Sequence, residues 1–547
     1  MATVQLQSHN LAFSASSMVD ADVVAHWSVD GVVFDGVQAY ASSYIVAHWS
    51  VDGAVFDGVQ TYASMDFSGM GWVLFIDWDG DGVFSNESGI YDMSMHGGRR
   101  RYIRSDGKGF EAWTPGTLTL KLRNQDGRYD YDNISSPIYP NLKPGAALRL
   151  GLHYGGDYYR VFSGDVVDIR PIYERGSENV MIEARSDAMR LEQDVNLGML
   201  RDMRADEIIS RILDAVEWPG LQDLGEGADT LDVWWDGYGA EARALIESLV
   251  AAELGMYAPR MDGVFWFRNR HTITKAVETL TGSDIKQGVG RSMPWDDMRN
   301  KISINVYAME QLMSGAVVWS QSGQLSIPPL GSRELRVRLK SGELPVAAES
   351  LLTPVANTDY VANMAEDGNG ADMTADVIVA TNVAGGEATI MITNNSTETV
   401  YMTTLQLRCD VAYTYESTGE ISAESGDASQ KLTLDNLWVT DSNQAHDMAC
   451  ALLNELENGK VNITVRLRNR PDLQFGLHEM DKLDVSINLS HSVISGDYKI
   501  IHIEHKSYDE SLTIFDTWLT LEPSREVDPA TTWIFPVRWE VNSRFGY

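Results

Sequence analysis

In "TLTLKLRN" the residues Leu118, Leu120 and Leu122 fall on one side of an extended strand, the residues between them are polar, and Asn124 to Gly127 break the run. The segment "AALRLGL" aligns Leu148, Leu150 and Leu152 in the same way, and "YYRVFSGDVVDIRPI" and "NVMIEARS" add two more strands, separated by glycine and proline turns. This pattern predicts a small antiparallel β domain, either a barrel or a strongly twisted sheet. The same succession returns near the C-terminus as "NITVRLRN", "KLDVSINL", "GDYKIIHIEHKS" and "LTIFDTWLTLEP". Two copies of one β architecture are therefore expected in a single chain.

Between the copies the period changes. "RADEIISRILDAVEWPG" spaces Ile208, Ile209, Ile212, Leu213 and Val216 for one helical face behind Asp206 as the candidate N-cap, and it stops at Trp218-Pro219. "AEARALIESLVAAELGMY" repeats the pattern with Ala242, Leu245, Ile246, Leu249 and Ala252, and Gly255 ends it; "DGVFWFRNRH" then reads as a strand after an Asp-Gly turn. Two helices followed by a strand predict a compact α+β insertion. Residues near 346–412 alternate again, with Gly-Gly and Asn-Asn turns, which predicts a sandwich-like β block. A last helix, "QAHDMACALLNELENG", puts Ala445, Met448, Ala449 and Leu452 on one face, and its Cys450 reads as core rather than nucleophile.

The N-terminal region carries a repeat. "VAHWSVDGVVFDGVQAYAS" (Val24 to Ser42) returns as "VAHWSVDGAVFDGVQTYAS" (Val46 to Ser64). Each copy holds an Asp-Gly pair between β-rich runs, the dipeptide suited to a type I′ hairpin turn, so two successive hairpins are expected. His26, Trp27, His48 and Trp49 are candidate ligand or interface residues: as a ligand site they would stack a sugar on tryptophan, and otherwise they belong to a strand module that packs on its twin or on a neighbouring subunit. The packing reading is favoured, since two copies are too few for a solenoid.

At 547 residues the chain exceeds a single core, and domains of about 100–200 residues give three to five of them. The fold class expected is mainly β with an α+β insertion and an inserted β-sandwich-like block. Residues 1–65 form an extension with the duplicated hairpin unit, 66–190 a first β-barrel, 191–275 the α+β insertion, 276–345 the first part of a second barrel, 346–412 the sandwich-like insertion, 413–525 the remainder of the second barrel with one helix, and 526–547 a tail. The formal net charge of −35 argues against a nucleic-acid or anionic-membrane binder, because both need clustered Lys and Arg. Two cysteines, Cys409 and Cys450, offer no disulfide framework and no CxxC pair. "MATVQLQSHN" carries no secretory signal, and no apolar run reaches the length of a bilayer span.

Chemistry is sparse. HExxH, GxSxG, GxxxxGK[ST] and a GxGxxG leading into a helix are all missing from the sequence, so no enzyme is expected. "HIEH" (His502 to His505) sits on a strand, where residues three apart point to opposite faces and do not share a metal. The one spacing with a cation in it is "FIDWDGDGVF", where Asp77, Asp79 and Asp81 precede Gly82 as in the first half of a calcium loop. The second half is deficient: the twelfth place is Ser88, Glu87 comes one position early, and the preceding "GWVLFI" is a strand rather than a helix. A polar turn joining the first two strands is favoured, with Ca²⁺ on the three aspartates as the alternative and no other cofactor expected.

The segments "IDWDGDGVFSNESGIYDMS", "GTLTLKLRNQDGRYDYDNISSPIYPNLKPGAALRLGL" and "RVFSGDVVDIRPI" resemble the opening domain of siphophage tail-tip and minor tail proteins. The resemblance continues through "MRADEIISRILDAVEWPG", "DVWWDGYGAEARALIESLVAAELG", "NTDYVANMAEDGNGADMTADVIV" and "VYMTTLQLR" to "NLWVTDSNQAHDMACALLNELE" and "TWLTLEPS", over roughly residues 71–523. Its most specific piece is "NQDGRYDYDNISSPIYPNLKPG". Cys409 stands where relatives often have glycine, and the repeat and the C-terminal tail fall outside the match. The resemblance implies a structural, non-enzymatic hub at the distal end of a phage tail, similar to the trimeric hubs of contractile-tail baseplates. Such hubs carry two tube-like antiparallel β-barrel domains per chain, so a homotrimer matches the sixfold tube. The partners implied are further copies of the chain, distal tail and tail-tube proteins, tip or fibre proteins and the host cell surface, in a virion whose proteins are made in the host cytoplasm. The competing class is a tail-associated protein that binds host-surface carbohydrate.

Overall fold

In the first repeat β1 (Val23–Val29) and β2 (Val32–Ala39) pair antiparallel, with Trp27 opposite Phe34 and Val29 opposite Val32, while Asp30 and Gly31 between them lie outside the described residues. This computed structural model describes the backbone of residues 23–29 and 32–39, and residues 71–524 apart from 99–108, 111, 175–176, 237–238, 273, 469 and 509. The second repeat, with His48 and Trp49, and the C-terminal tail lie outside the described residues, and the side chains of His26 and Trp27 do too.

The first β unit comprises β3 (Gly71–Asp77), β4 (Ser85–Glu87), β5 (Ile90–Gly98), β6 (Thr114–Arg123), β7 (Ala147–Tyr154), β8 (Asp157–Glu174) and β9 (Ser177–Ser186). Leu118, Leu120, Leu122, Leu148, Leu150 and Leu152, the residues that the alternation aligns, are all buried in its core. Neighbours run in the order β5-β6-β9-β8-β7-β3-β4, every pair antiparallel.

The insertion follows. It holds β10 (Asp194–Val195), β11 (Met199–Arg204), α1 (Ala205–Ala215), β12 (Gln222–Leu224), β13 (Thr230–Trp235), β14 (Ala240–Glu241), α2 (Ala242–Ala252), β15 (Met256–Pro259) and β16 (Phe265–Arg268). The stripe Ile208, Ile209, Ile212, Leu213 and Val216 is buried as its spacing requires, and so is Ala242, Leu245, Ile246, Leu249 and Ala252. The cap differs from expectation. Arg204 is the N-cap of α1, its N–H donating to the Glu207 carboxylate at 2.9 Å, while Asp206 lies inside the first turn and accepts from Gly227 N–H at 2.8 Å. A tertiary contact to the 225–228 loop, which the local sequence does not encode, takes Asp206 out of the capping role.

After β17 (Glu278–Thr281) and β18 (Ile285–Ser292) the chain builds another sheet around a 25-residue strand. Its members are β19 (Lys301–Gln311), β20 (Val317–Ser320), β21 (Leu325–Ile327), β22 (Ser332–Arg338), β23 (Lys340–Ser341), β24 (Leu344–Leu351), β25 (Tyr360–Asn363), β26 (Val377–Ala384), β27 (Glu387–Asn394), the long β28 (Val400–Glu424) and β29 (Lys431–Leu434). The three-stranded sheet β22-β27-β26 faces the upper part of β28 over a core that runs from Val318 to Ala412. The lower part of β28 and α3 (Ser442–Leu456) share the insertion's core: Trp235 stacks on Tyr415 at 5.4 Å, and Trp438 stands edge-on to both. Ala445, Met448, Ala449 and Leu452 of α3 are buried there. Cys450, expected in the core, is half-buried instead, its Sγ 3.6 Å from His446 Nε2, because one step past Ala449 turns it about 100° off the stripe.

The second β unit closes the described chain with β30 (Asn462–Arg468), α4 (Pro471–Gly476), β31 (Lys482–Asn488), β32 (Val493–Ser507) and β33 (Phe515–Pro523). Its order, β18-β30-β33-β32-β31, matches β5-β6-β9-β8-β7 strand for strand. The match reaches the irregularities. β8 bulges between Val166 and Asp168, and β32 between Ile500 and His502, each just past the point where the strand leaves its hairpin partner. One difference stands out: β17 runs parallel to β31, whereas β3 is antiparallel to β7. The units are joined by β5 against β32, His96 opposite Glu504, into a sheet of thirteen strands.

Glu253 gives the insertion a testable electrostatic signature. It is 3% exposed; Oε1 accepts from the N–H groups of Ala228 and Asp229, and Oε2 has no hydrogen-bond partner. Burial pushes this carboxyl from 4.5 up to about 7, against the pull of the two backbone donors. The folded state therefore keeps a proton that the unfolded state releases, so stability falls as pH rises between about 4.5 and 7. Glu253→Gln removes that loss and is expected to gain roughly 3 kcal/mol on wild type between pH 4.5 and 8. Urea unfolding of both proteins across that range measures it, and a pH-independent difference would contradict the assignment.

Candidate functional site

Asp77 ends β3, and the loop after it returns the chain to β4, where Ile76 pairs with Ser85. The Asp77 side chain closes the loop: Oδ1 accepts from Gly80 N–H at 2.9 Å and Oδ2 from Gly82 N–H at 3.0 Å, both glycines at positive φ. Asp81 Oδ1 accepts from Val83 N–H. Asp77 is buried, while Asp79 and Asp81 are exposed. One carboxylate oxygen from each of the three lies within 4.8 Å of the others, and among the described residues this is the one group of three acidic, His or Cys side chains spaced for a metal.

Glu87, one position short of a calcium loop's last ligand, is committed elsewhere. Buried at the end of β4, it accepts from Trp78 Nε1 (2.8 Å), Ser85 Oγ (2.8 Å), Tyr129 Oη (2.7 Å) and both arms of the Arg128 guanidinium (2.7 and 2.8 Å). Burial pushes its carboxyl up, but the hydrogen bonds from Arg128, Trp78 and Tyr129 outweigh it and hold the group ionised below the usual range. The bidentate pair ties the segment from Asn124 to Ala146 to β4. Asn124 itself is buried, accepting from Tyr129 N–H and donating to Asp130, so the "NQDGRYDYDN" motif is a folded loop with its own internal scaffold.

The other concentration of polar chemistry lies where the β units meet. There the turn between β15 and β16 is wedged against both. Met261 C=O accepts from Ser163 N–H of β8 at 2.7 Å, and Trp218 Nε1 donates to Gly263 C=O. Arg260 reaches the second unit, donating from Nε to Glu479 C=O and from Nη2 to Asp481 at 2.7 Å. The approach is close at two strand glycines: a Cβ on Gly97 would lie 2.5 Å from Glu479 Oε1, and one on Gly116 2.7 Å from Met261 Cγ, so either would force those side chains to shift. Glu479 is buried, its Oε2 has no hydrogen-bond partner, and burial pushes its carboxyl up.

"HIEH" crosses this junction. His505 is buried, stacked on Phe475 at 4.9 Å with Nδ1 against Thr517 Oγ1, and burial holds it down to about 3, with His478 and His96 adding to the effect. His502 is half-buried on the opposite face of β32, as the strand period requires. The junction residues Met261, Gly97 and Glu479 carry no sequence motif. Glu87 and Arg128, 41 residues apart, carry none either, since each stands among exposed polar neighbours such as Asn86, Ser88, Gln125 and Asp126.

No protein-family model matches the chain, and no curated protein matches it in sequence. Solved structures do. The chain is similar to the 43 kDa tail protein of prophage MuSo2 from Shewanella oneidensis, at 10% identity and a TM-score of 0.45 over 83% of this chain and 98% of that one. It is similar to the tail protein from Neisseria meningitidis MC58, at 9% identity and a TM-score of 0.44 over 84% of this chain and 98% of that one. A prophage tail protein, gp18 from Listeria monocytogenes EGD-e, matches at 9% identity and a TM-score of 0.38 over 83% of this chain and 95% of that one.

Proposed function

We propose that the chain is a structural hub of a bacteriophage tail, set at the distal end of the tail tube as a homotrimer. It would close the tube, carry the tip or fibre proteins through which the virion meets its host, and let the genome pass. The observation that carries this reading is the duplicated β unit: two units of one strand order, sharing even the position of a bulge, form one continuous sheet. Three such chains in a ring present six equivalent units, which is how a threefold component meets a sixfold tube. The net charge of −35 suits a conduit, because a lumen poor in Lys and Arg does not hold passing DNA. Trp78, Asp77 and Glu87 support the turn reading of the aspartate loop: the side chain that would head a calcium site already holds the turn, and the acid nearest the site's end is ion-paired to Arg128. What favours calcium is the convergence of the three carboxylates.

Two measurements test these proposals. A cryo-electron-microscopy reconstruction of the virion is expected to place three copies at the distal end of the tube; six copies in a ring, or density only on peripheral fibres, would overturn the hub. For the aspartate loop, the turn reading expects a melting temperature unchanged by excess Ca²⁺ or by chelator, and a Ca²⁺-dependent rise that Asp79→Asn abolishes would assign the cation instead.

A further inference from the structure

The two β units are built alike and covered differently. Their registers set up a correspondence. Leu118 and Leu120 of β6 answer to Ile463 and Val465 of β30, so their partners on the next strand, Met95 and Met93 of β5, answer to Arg291 and Val289 of β18. The shared bulge aligns Asp168 to Ile172 of β8 with His502 to Lys506 of β32.

Inside the chain, β32 covers the far side of β5, and Met93 and Met95 are 1% and 0% exposed. The far edge of β18 pairs with no strand among the described residues. Lys286, Gly290, Arg291 and Ser292 are exposed on it, and Met293 and Trp295 follow at 55% and 69% exposure. The loops repeat the contrast. After β30 the chain buries Leu473, Phe475 and Leu477, with Phe475 edge-on to Trp72 of the first unit at 5.0 Å and Gly476 against Tyr159. After β6, the corresponding loop leaves Ile134 77% and Tyr139 46% exposed, although the Arg128–Glu87 pair anchors it.

Among the described residues each face that the units use on one another thus recurs, uncovered, at an outer end. The end formed by β18 carries Lys286 and Arg291 and no acid on the strand; the end formed by the 124–146 loop carries Asp126, Asp130 and Asp132 against the exposed Lys143. The ends differ from each other, so the contact they make is head-to-tail rather than self-complementary. We propose that the β18 end of one chain, with Met293 and Trp295, receives the 124–146 loop and the C-terminal half of β8 of a second copy of this chain, in the manner of the internal β5–β32 seam. This rests on the self-assembly reading given above. The internal register would set Gly290 beside Ile172 and Arg291 beside Pro171. Pro171 has no N–H, and Tyr131 Oη already donates to Ile169 C=O at 2.5 Å, so this seam relies less on a backbone ladder and more on Ile134, Tyr139 and the charges.

The test uses the full chain and two exposed-site variants, Ile134→Asp and Arg291→Asp, each checked for a wild-type melting temperature. Wild type is expected to assemble in light scattering over a concentration series, and each variant to self-associate at least about 30-fold more weakly. An equimolar mixture of the two variants is expected to stop at dimers, because each chain keeps one intact end and the two intact ends fit. Variants that assemble like wild type, or a mixture that yields no dimer, would overturn this surface while leaving the ring reading in place. A wild-type chain that stays monomeric throughout would overturn both.

Discussion

The antiparallel run of β5 against β32 is the constraint on which the rest of the molecule depends. It pairs segments about 400 residues apart, and every inserted element has to fit in the chain between them. Met93 N–H donates to Ser507 Oγ, and that hydroxyl donates to Asp92, across a separation of 414 residues. Closing so long a loop costs little more than closing a short one, since each doubling adds only about 0.6 kcal/mol. The seam must nevertheless be specific, because a one-residue slip would turn Met93 and Met95 from the core to the other face.

Specificity comes from the insertion. Its Arg260-to-Gly263 turn touches β8 on one side and the segment before β31 on the other, and Gly97 and Gly116 are the footprints it leaves in β5 and β6. The insertion is therefore a clamp on the seam as well as a domain. Its own core extends into the tryptophan cluster with Tyr415 and Trp438, so the clamp is braced by β28 and by the residues that lead into α3. The buried, partnerless Oε2 of Glu479 shows the cost of so tight a junction: burial pushes the carboxyl up, and no donor reaches this oxygen to offset the lost water.

What could be read from the sequence was whatever repeats locally. The Ile208-to-Val216 and Ala242-to-Ala252 stripes, the leucine alternation of β6 and β7, and the likeness of the two β units all follow from side-chain period, and all are present. What could not be read was anything set by distant chain. Asp206 looks like a cap until Gly227 claims it, and Cys450 looks like core until the helix is seen to turn it aside. Val318 and Leu325, which precede the block that the alternation marks near 346–412, join its core because β20 and β21 pair with β28. In the aspartate loop the local spacing was legible and Glu87's ties were not, because Arg128 and Tyr129 reach it from another loop.

The differences between the two units are as informative as their likeness. A seam made once, within a chain, is never exposed after folding, so it can be apolar: Met93, Met95, Phe475 and His505 are all buried in it. An outer end of the same architecture has to face water until something covers it, and an open strand edge there invites indiscriminate pairing. At the outer ends Arg291 stands where the seam has Met95, and Pro171 where it has His505. Tyr131 occupies a carbonyl on the one edge, and Lys286 and Arg291 add charge to the other. These substitutions do not erase the shape inherited from the shared unit. They add charge and remove backbone donors, which is the balance that the proposed contact with a second copy would require of a surface exposed until assembly.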